Sequence, residues 1–402
     1  MLRKNRKKAS KDAASTLVVI ILITFLNPFA EVFSQNEDLN IEANLVDILE
    51  EIYNNQLGSA LEKTDELVTR FPKFTLGHLI KGDLLQAQFQ LLNSPGSNFV
   101  PEKISTNLIE EAIVRSKRFH QTKFQGQIPE FLIKIPKQFK HVLVLDASRS
   151  TLYVFRNEPD QFIEVGNFYA TIGKRGTGKL KEGDKKTPIG VYRVTKKIKS
   201  SELSNFYGAG AFPINYPNQW DKLQGYNGYG IWLHGSPWNV YSRPPQASDG
   251  CIVLNNDDFV QLGKYIDPRG TPVILTKKIN WTNPDDNRKM KEIILNRLFQ
   301  WKEDWESLNT IEYLKNYSKA FTDGKSNIKT WSKKKLAINS QKTWIKVQIG
   351  DVAITPYPGQ KNMVAVSFSQ SYRSNNLNDQ MTKLQFWSKK DGDWKIIFEG
   401  KN

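Results

Sequence analysis

The sequence predicts a multidomain α+β protein: a helical N-terminal part, a mostly β middle and a C-terminal α+β domain. Three changes of pattern along the chain predict it. Between residues 38 and 93 apolar side chains recur at helical spacing. From His141 the chain breaks into short β-branched and aromatic runs punctuated by Gly, Pro, Asn and Asp. Beyond Lys289 helical spacing returns and then gives way to alternating strands. The 402 residues are enough for two or three such domains.

The first 34 residues read as an export signal. Arg3, Lys4, Arg6, Lys7, Lys8 and Lys11 form a basic segment, and Thr16 to Leu26 an apolar run of eleven residues. That run is shorter than the roughly 20 apolar residues that cross a bilayer. A cleaved signal peptide is expected, with an uncleaved signal anchor as the alternative. In the helical region 38–130, Ile41, Leu45, Ile48, Ile52 and Leu57 share one helical face, and Ala60, Leu61, Leu67 and Val68 another. Phe71-Pro72 stops that second helix, Leu76 to Leu92 resumes the stripe, and Asn107 to Phe119 reads as a further helix. Helix, proline turn, helix is weakly tetratricopeptide-like, but the chain holds no further copy.

The middle domain, 138–278, holds the runs HVLVLD, STLYVF, GVYRV, GIWLHG, GCIVL and TPVILT. Trp281 to Asn287 reads as a polar linker, so the middle domain is expected to fold without the C-terminal domain. In that C-terminal domain, 286–402, Lys289 to Phe321 reads as helices with Ile293, Leu298, Trp301 and Trp305 on one side. Strands are expected at Thr343–Thr355, Met363–Tyr372, Thr382–Ser388 and Trp394–Glu399, with Asp391-Gly392 as a tight turn.

The net charge of +16, about +12 beyond the first 34 residues, favours anionic partners. Export directs that preference to anionic lipid or acidic wall polymers rather than nucleic acid. Cys251 is the single cysteine, so no internal disulfide exists. It is an intermolecular link, a free thiol or a small buried hydrophobe. Its neighbourhood favours chemistry. His234 stands upstream with sixteen residues between, and an imidazole can take a thiol's proton and return it to a leaving group. If the runs at 230–233 and 251–254 are neighbouring strands, the two side chains end close together. Gly250 permits close approach of a substrate, the amides of Asp249, Gly250 and Cys251 suit an oxyanion, and Ser248 is placed to orient the imidazole.

HGS at 234–236 and SDGC at 248–251, with KEGDKKTPIGVYRV at 181–194 and HVLVLDASRSTLYVF upstream, resemble the L,D-transpeptidase (YkuD) catalytic domain family in the family's order. The resemblance implies Cys251 as nucleophile and His234 as proton donor and acceptor, with Gly235, Ser248 and Gly250 as orienting and oxyanion positions. It implies peptidoglycan stem peptides as partner and no metal or other cofactor. Cys251 would attack the carbonyl of the diamino acid in a stem tetrapeptide, expel D-alanine and pass the acyl group to an amine. Hydrolysis of the same bond type, as an L,D-carboxypeptidase or amidase, and a non-catalytic wall-binding scaffold are the alternatives. Two positions depart from the family pattern: Asp249 stands where many members have His, and Val253 where many have Arg. Arg243 and Asp249 are the candidate substrate-binding residues, Arg243 as the replacement cation.

Other signals read as bland. GKRGTGKL at 173–180 approaches a phosphate loop but lacks the following Ser/Thr and helix, so a flexible basic loop beside the groove is expected. His78, His120 and His141 have no paired ligand, and Lys333, Lys334 and Lys335 read as a solvated face. The C-terminal segment resembles the nuclear-transport-factor-like (SnoaL-like) fold. It holds neither His nor Cys, so a binding or dimerising role, toward wall-attached or other envelope proteins, is expected of it and of the helical part.

Overall fold

The computed structural model describes residues 41–92, 94–96, 100–120 and 126–401. The expected export signal lies outside them. Among the described residues no helix is long and apolar enough to cross a membrane.

Four helices build the N-terminal domain: α1 (Ile41–Tyr53), α2 (Leu57–Arg70), α3 (Thr75–Ala87) and α4 (Glu102–Phe119). Their apolar stripes close on one another through Leu45, Ile48, Leu67, Phe74, Leu79 and Leu108. α4 begins five residues before the expected Asn107, because Pro101 and Glu102 start it.

The middle domain packs two sheets face to face. Its strands are β1 (Ile128–Pro129), β2 (His141–Asp146), β3 (Thr151–Asn157), β4 (Phe162–Tyr169), β5 (Ile172–Gly173), β6 (Gly190–Arg193), β7 (Ile198–Lys199), β8 (Gly210–Pro213), β9 (Trp232–Gly235), β10 (Gln246–Ser248), β11 (Ile252–Leu254), β12 (Pro272–Thr276) and β13 (Trp281–Thr282). Short helices α5 (Gln219–Leu223) and α6 (Asn256–Leu262) interrupt them. One sheet runs β4-β3-β2-β12-β6 and the other β11-β9-β8-β7. Alternation assigns each side chain its face. Leu143, Leu145, Leu152, Val154, Val273 and Leu275 meet Phe212, Leu233, Ile252 and Leu254 of the second sheet. Val142, Val144, Tyr153, Phe155 and Ile274 point the other way, onto Phe131, Leu132, Ile135 and Ile279. The first sheet is thus buried on both faces, which is why HVLVLD reads as a continuous apolar run.

The C-terminal domain comprises α7 (Pro284–Glu306), α8 (Thr310–Lys315), β14 (Tyr317–Thr322), α9 (Ile328–Asn339), β15 (Ile345–Pro356), β16 (Met363–Ser374), β17 (Leu377–Lys390) and β18 (Asp393–Lys401). Its sheet runs β14-β18-β17-β16-β15, and α7 packs across it through Ile294, Leu298, Trp301 and Trp305. Asp391 and Gly392 both adopt left-handed φ, 53° and 85°, as a two-residue hairpin turn demands.

Three expectations differ from the structure. Residues 281–287 are not a free linker: β13 pairs with β1, and α7 already starts at Pro284. The polarity of that stretch is helix-start chemistry. Asn283 caps the Asp285 amide, proline sits in the first turn, and Asp285 and Asp286 face the positive helix end. Tyr317 to Thr322 forms a strand rather than helix, pairing parallel with β18. The helix α9 lacks a strong apolar stripe in sequence, and its Asn327 cap identifies its start.

Candidate functional site

Cys251 sits immediately before β11, and His234 lies inside β9. The two strands pair in parallel, with Ile252 opposite Leu233 and Val253 opposite His234. This is the expected neighbourhood, and it displaces Cys251 from direct opposition to the histidine. The sulfur donates to Gly230 O at 3.3 Å. His234 is 1% exposed and its Nδ1 lies 2.7 Å from Gly235 O. A carbonyl only accepts, so the neutral ring carries its proton on Nδ1, and Nε2 is the atom with a lone pair to offer. Phe206 and Tyr207 flank this ring, the Tyr207 ring 5.0 Å from His234, and Trp232 packs against Tyr207.

Burial keeps both groups neutral. Desolvation pushes the imidazole down to about 4, opposed by its bond to Gly235 and assisted by the nearby Arg243 charge. Desolvation pushes the thiol up to about 11. The Trp232 backbone opposes that rise, Asp249 adds to it, and Arg243 and Lys179 oppose it.

The turn before Cys251 is held by a side chain from the other motif. Thr187, fully buried, donates through Oγ1 to Gly250 O at 3.0 Å and accepts from Gly173 N at 2.9 Å. Gly250 has φ +128°, and a Cβ there would stand 2.8 Å from Lys186 O, so only glycine fits. Ser248 Oγ donates to Cys251 O at 2.6 Å and accepts from Gly250 N at 3.1 Å. It therefore braces the turn and does not orient the imidazole, as expected of it; Gly235 O does. Gly235 is required by space: a Cβ would press on Asn256 Oδ1 and the Ala209 amide.

Loop 173–180, expected to be a flexible basic loop, is held by backbone bonds from Lys174 to Ser248 O, Arg175 to Lys185 O and Gly178 to Thr187 O. Lys179 is 5% exposed and binds Asp184 Oδ1 at 2.9 Å. Burial would raise the Asp184 pKa, but the amides of Leu180, Lys181 and Lys186 and the Lys179 ammonium hold it at about 2. Lys181, Asp184 and Lys186 belong to the KEGDKKTP motif, which is thus a carboxylate-centred knot that also holds Lys179. Asp249 is exposed at the rim and pairs with Lys174 at 3.1 Å. Val253 is buried and bridges to Thr171. Arg243 lies close enough to act on both Cys251 and His234, stands 5.2 Å from the Phe206 ring, and buries Nη1 with no hydrogen-bond partner.

Among the described residues no group of three or more His, Cys, Asp or Glu side chains is gathered to hold a metal ion. The C-terminal cone encloses a second polar set. Lys383 pairs with Glu399 at 2.8 Å, joined by Gln385 and Tyr317, beneath Trp301 and Trp305. Lys335 is not solvated, contrary to expectation: its ammonium lies 4.5 Å from the Trp331 ring and burial lowers its pKa to about 8. Helical spacing within WSKKKL is the only signal that distinguishes it from Lys333 and Lys334, since it falls four residues after Trp331.

Comparison with known proteins agrees with this architecture. Residues 140–275 match the model of the L,D-transpeptidase catalytic domain, and residues 293–400 that of the Cds6 C-terminal NTF2-like domain. YafK of Escherichia coli (strain K12), provisionally named an L,D-transpeptidase, is 23% identical over 187 residues, 43% of this chain and 68% of YafK. The structure of Bd1075 from Bdellovibrio bacteriovorus is similar at 28% identity with a TM-score of 0.59, covering 68% of this chain and 97% of that one. Pgp2 from Campylobacter jejuni, a helical cell shape determining protein, is similar at 25% identity with a TM-score of 0.57, covering 69% of this chain and 96% of that one. The middle domain thus has the L,D-transpeptidase fold and the C-terminal domain is NTF2-like.

Proposed function

We propose that this chain is an exported envelope enzyme that transfers an acyl group from the stem tetrapeptide of peptidoglycan through Cys251. The observation that carries the reading is the placement of the single thiol at the start of β11, beside the strand β9 that holds a buried imidazole whose Nε2 is the proton-accepting atom. The thiol attacks the carbonyl at the L-centre of the diamino acid while Nε2 takes its proton. The C–N bond to D-alanine then breaks, and the imidazolium returns the proton to the leaving amine. A thioester remains, which an amine resolves to give a cross-link, an attached protein or an exchanged D-amino acid. Since the pair rests as thiol and imidazole, proton transfer accompanies attack rather than preceding it.

Arg243, with its unpaired buried Nη1, is the group for the substrate's terminal carboxylate, replacing the arginine absent at Val253. Asp249, at the rim with Lys174, would meet the acceptor side of the substrate. The Gly250 amide is held by Ser248, so oxyanion stabilisation falls to the amides of Asp249 and Cys251. By its likeness to Pgp2, the enzyme would act in setting cell shape. Incubation with disaccharide-tetrapeptide, followed by mass identification of products, tests the reading. Cross-linked dimer and free D-alanine are expected. Tripeptide alone would convert the enzyme into a hydrolase, and unreacted substrate would leave only a wall-binding scaffold.

A further inference from the structure

We propose that the helical N-terminal domain is a working part of the catalytic centre, because Arg115 and Glu111 of α4 fix the segment that carries Arg243. Arg243 belongs to the excursion between β9 and β10, a stretch without regular secondary structure of its own. Adjacent residues of that stretch are tied to the helical domain. Ser242 Oγ donates to Glu111 Oε1 of α4 at 2.7 Å, while the carbonyl of Arg243 itself accepts from two middle-domain hydroxyls, Tyr169 OH at 3.0 Å and Thr171 Oγ1 at 2.9 Å. The Arg115 guanidinium joins the two ties: Nε donates to the same Glu111 oxygen at 2.9 Å, and its carbon lies 4.0 Å from the Tyr169 ring centroid. Nη1 donates to Glu42 Oε1 of α1 at 2.6 Å. Further along the excursion, Tyr241 packs on Phe71 and Phe74 and its amide donates to Lys73 O, while Lys73 Nζ donates to Trp238 O.

Arg115 is 1% exposed, and Glu111 2%. Burying an ion pair gives little net stability over an apolar contact of the same volume, but it fixes direction. The direction fixed here is that of a backbone whose next side chain points its charge at the thiol. The charges of Asp249, Arg243 and Lys179 act on Cys251, the Tyr207 hydroxyl feels the thiol, and His234 lies on the neighbouring strand. Among them Arg243 lies on the excursion that Ser242 and Tyr241 tie to the helical domain. Arg115 and Glu111 are thus positioning residues, acting through Arg243 on thiol ionisation and, if the proposed reaction is right, on the hold over a substrate carboxylate.

The test uses the full chain and two readouts. The first is the rate of Cys251 alkylation by iodoacetamide against pH, which reports on one group because the chain has one cysteine. The second is KM and kcat for disaccharide-tetrapeptide. Arg243→Gln should slow alkylation at pH 9 by about three- to tenfold, the scale of losing one partly screened charge. It should also raise KM by about tenfold or more, the scale of a charge-assisted bond. The double variant Tyr169→Phe/Ser242→Ala keeps every charge and every ring, removes the bonds that lead to Glu111 and Arg115, and leaves only the Thr171 bond on the Arg243 carbonyl. It should shift both readouts in the same direction, with kcat less affected than KM and with circular dichroism and melting unchanged. An alkylation profile in the double variant identical to wild type would overturn the proposal. So would an Arg243→Gln variant whose thiol reacts like wild type. Wild-type protein that leaves tetrapeptide unreacted would instead sink the proposed reaction, and alkylation alone would then decide the positioning.

Discussion

The middle domain is gripped from two sides by contacts of different character. On the helical side the contact is mainly polar and directional: Arg115, Glu42, Glu111, Ser242 and the Lys73–Trp238 bond gather at the excursion beside Cys251, around the aromatic contact of Tyr241 with Phe71 and Phe74. On the C-terminal side it is apolar and sheet-like. Ile133 enters the NTF2-like core, Lys134 and Ile354 exchange backbone hydrogen bonds, and Trp220 packs on Tyr357 and Phe386. Asn287 of α7 donates to the carbonyls of Pro129 and Leu132. None of these C-terminal residues belongs to the 234–251 stretch. The difference teaches that one neighbour aims the site while the other supports the sheet behind it.

The largest expected effect lies on the supporting side. Removing residues 285–402 uncovers Trp220, Leu223 and Ile133 and leaves β13 without its succeeding helix. The truncated chain should lose its cooperative melt, monitored by calorimetry; a sharp transition at the wild-type temperature would break the comparison. A milder probe of the same face is Trp220→Ala. It should cost about 3–5 kcal/mol, the usual scale for deleting a packed aromatic, while the folded protein's Cys251 alkylation profile stays as in wild type. A changed profile would mean that the C-terminal contact also reaches the site.

On the aiming side, Arg115→Met leaves Glu111 without its cation and Glu42 with Arg118, and should destabilise by about 3–5 kcal/mol in urea melts. Alkylation should slow as well, which separates it from Trp220→Ala. A subtler effect comes from Asp258 of α6. Burial, then the Glu42 charge, raise its pKa to about 7 against the pull of Arg118 and Arg115. The native state therefore binds a proton that the unfolded chain has lost above about pH 4. Stability from this group is full below pH 4 and falls as pH rises toward 7. Asp258→Asn should flatten that decline in melts recorded from pH 4 to 8; an unchanged slope would remove Asp258 from the account.

The two sides are also unequally legible in sequence. Cys251 and His234 stand out because their residue types are rare in this chain and sit in dense motifs, and β11 against β9 follows from the GIWLHG and GCIVL runs. The role of Ser248 is easily misread, because hydroxyls serve turns as readily as imidazoles. Arg115 and Glu111 look like an ordinary i, i+4 surface pair on an amphipathic helix. Nothing local marks them as buried, since the partner Ser242 lies 131 residues away from Glu111. The start of α7 is hidden for a different reason. Its capping residues are polar, and a run of polar residues reads as a linker until the cap geometry is seen.

The central claim is that Cys251 becomes acylated with His234 as its base, and the mass of the intact protein tests it most directly. Wild-type protein mixed with disaccharide-tetrapeptide and quenched in acid should gain the substrate's mass less one alanine, localised by peptide mapping to Cys251. His234→Ala should form the adduct about 10²-fold more slowly or worse, the usual scale of general acid–base help. The wild-type rate should be lost on the acid side as His234 gains its proton near pH 4, the pair titrating as a coupled unit. Cys251→Ala should stay unmodified. An adduct on the Cys251→Ala protein, or one formed at wild-type speed without His234, would contradict the account.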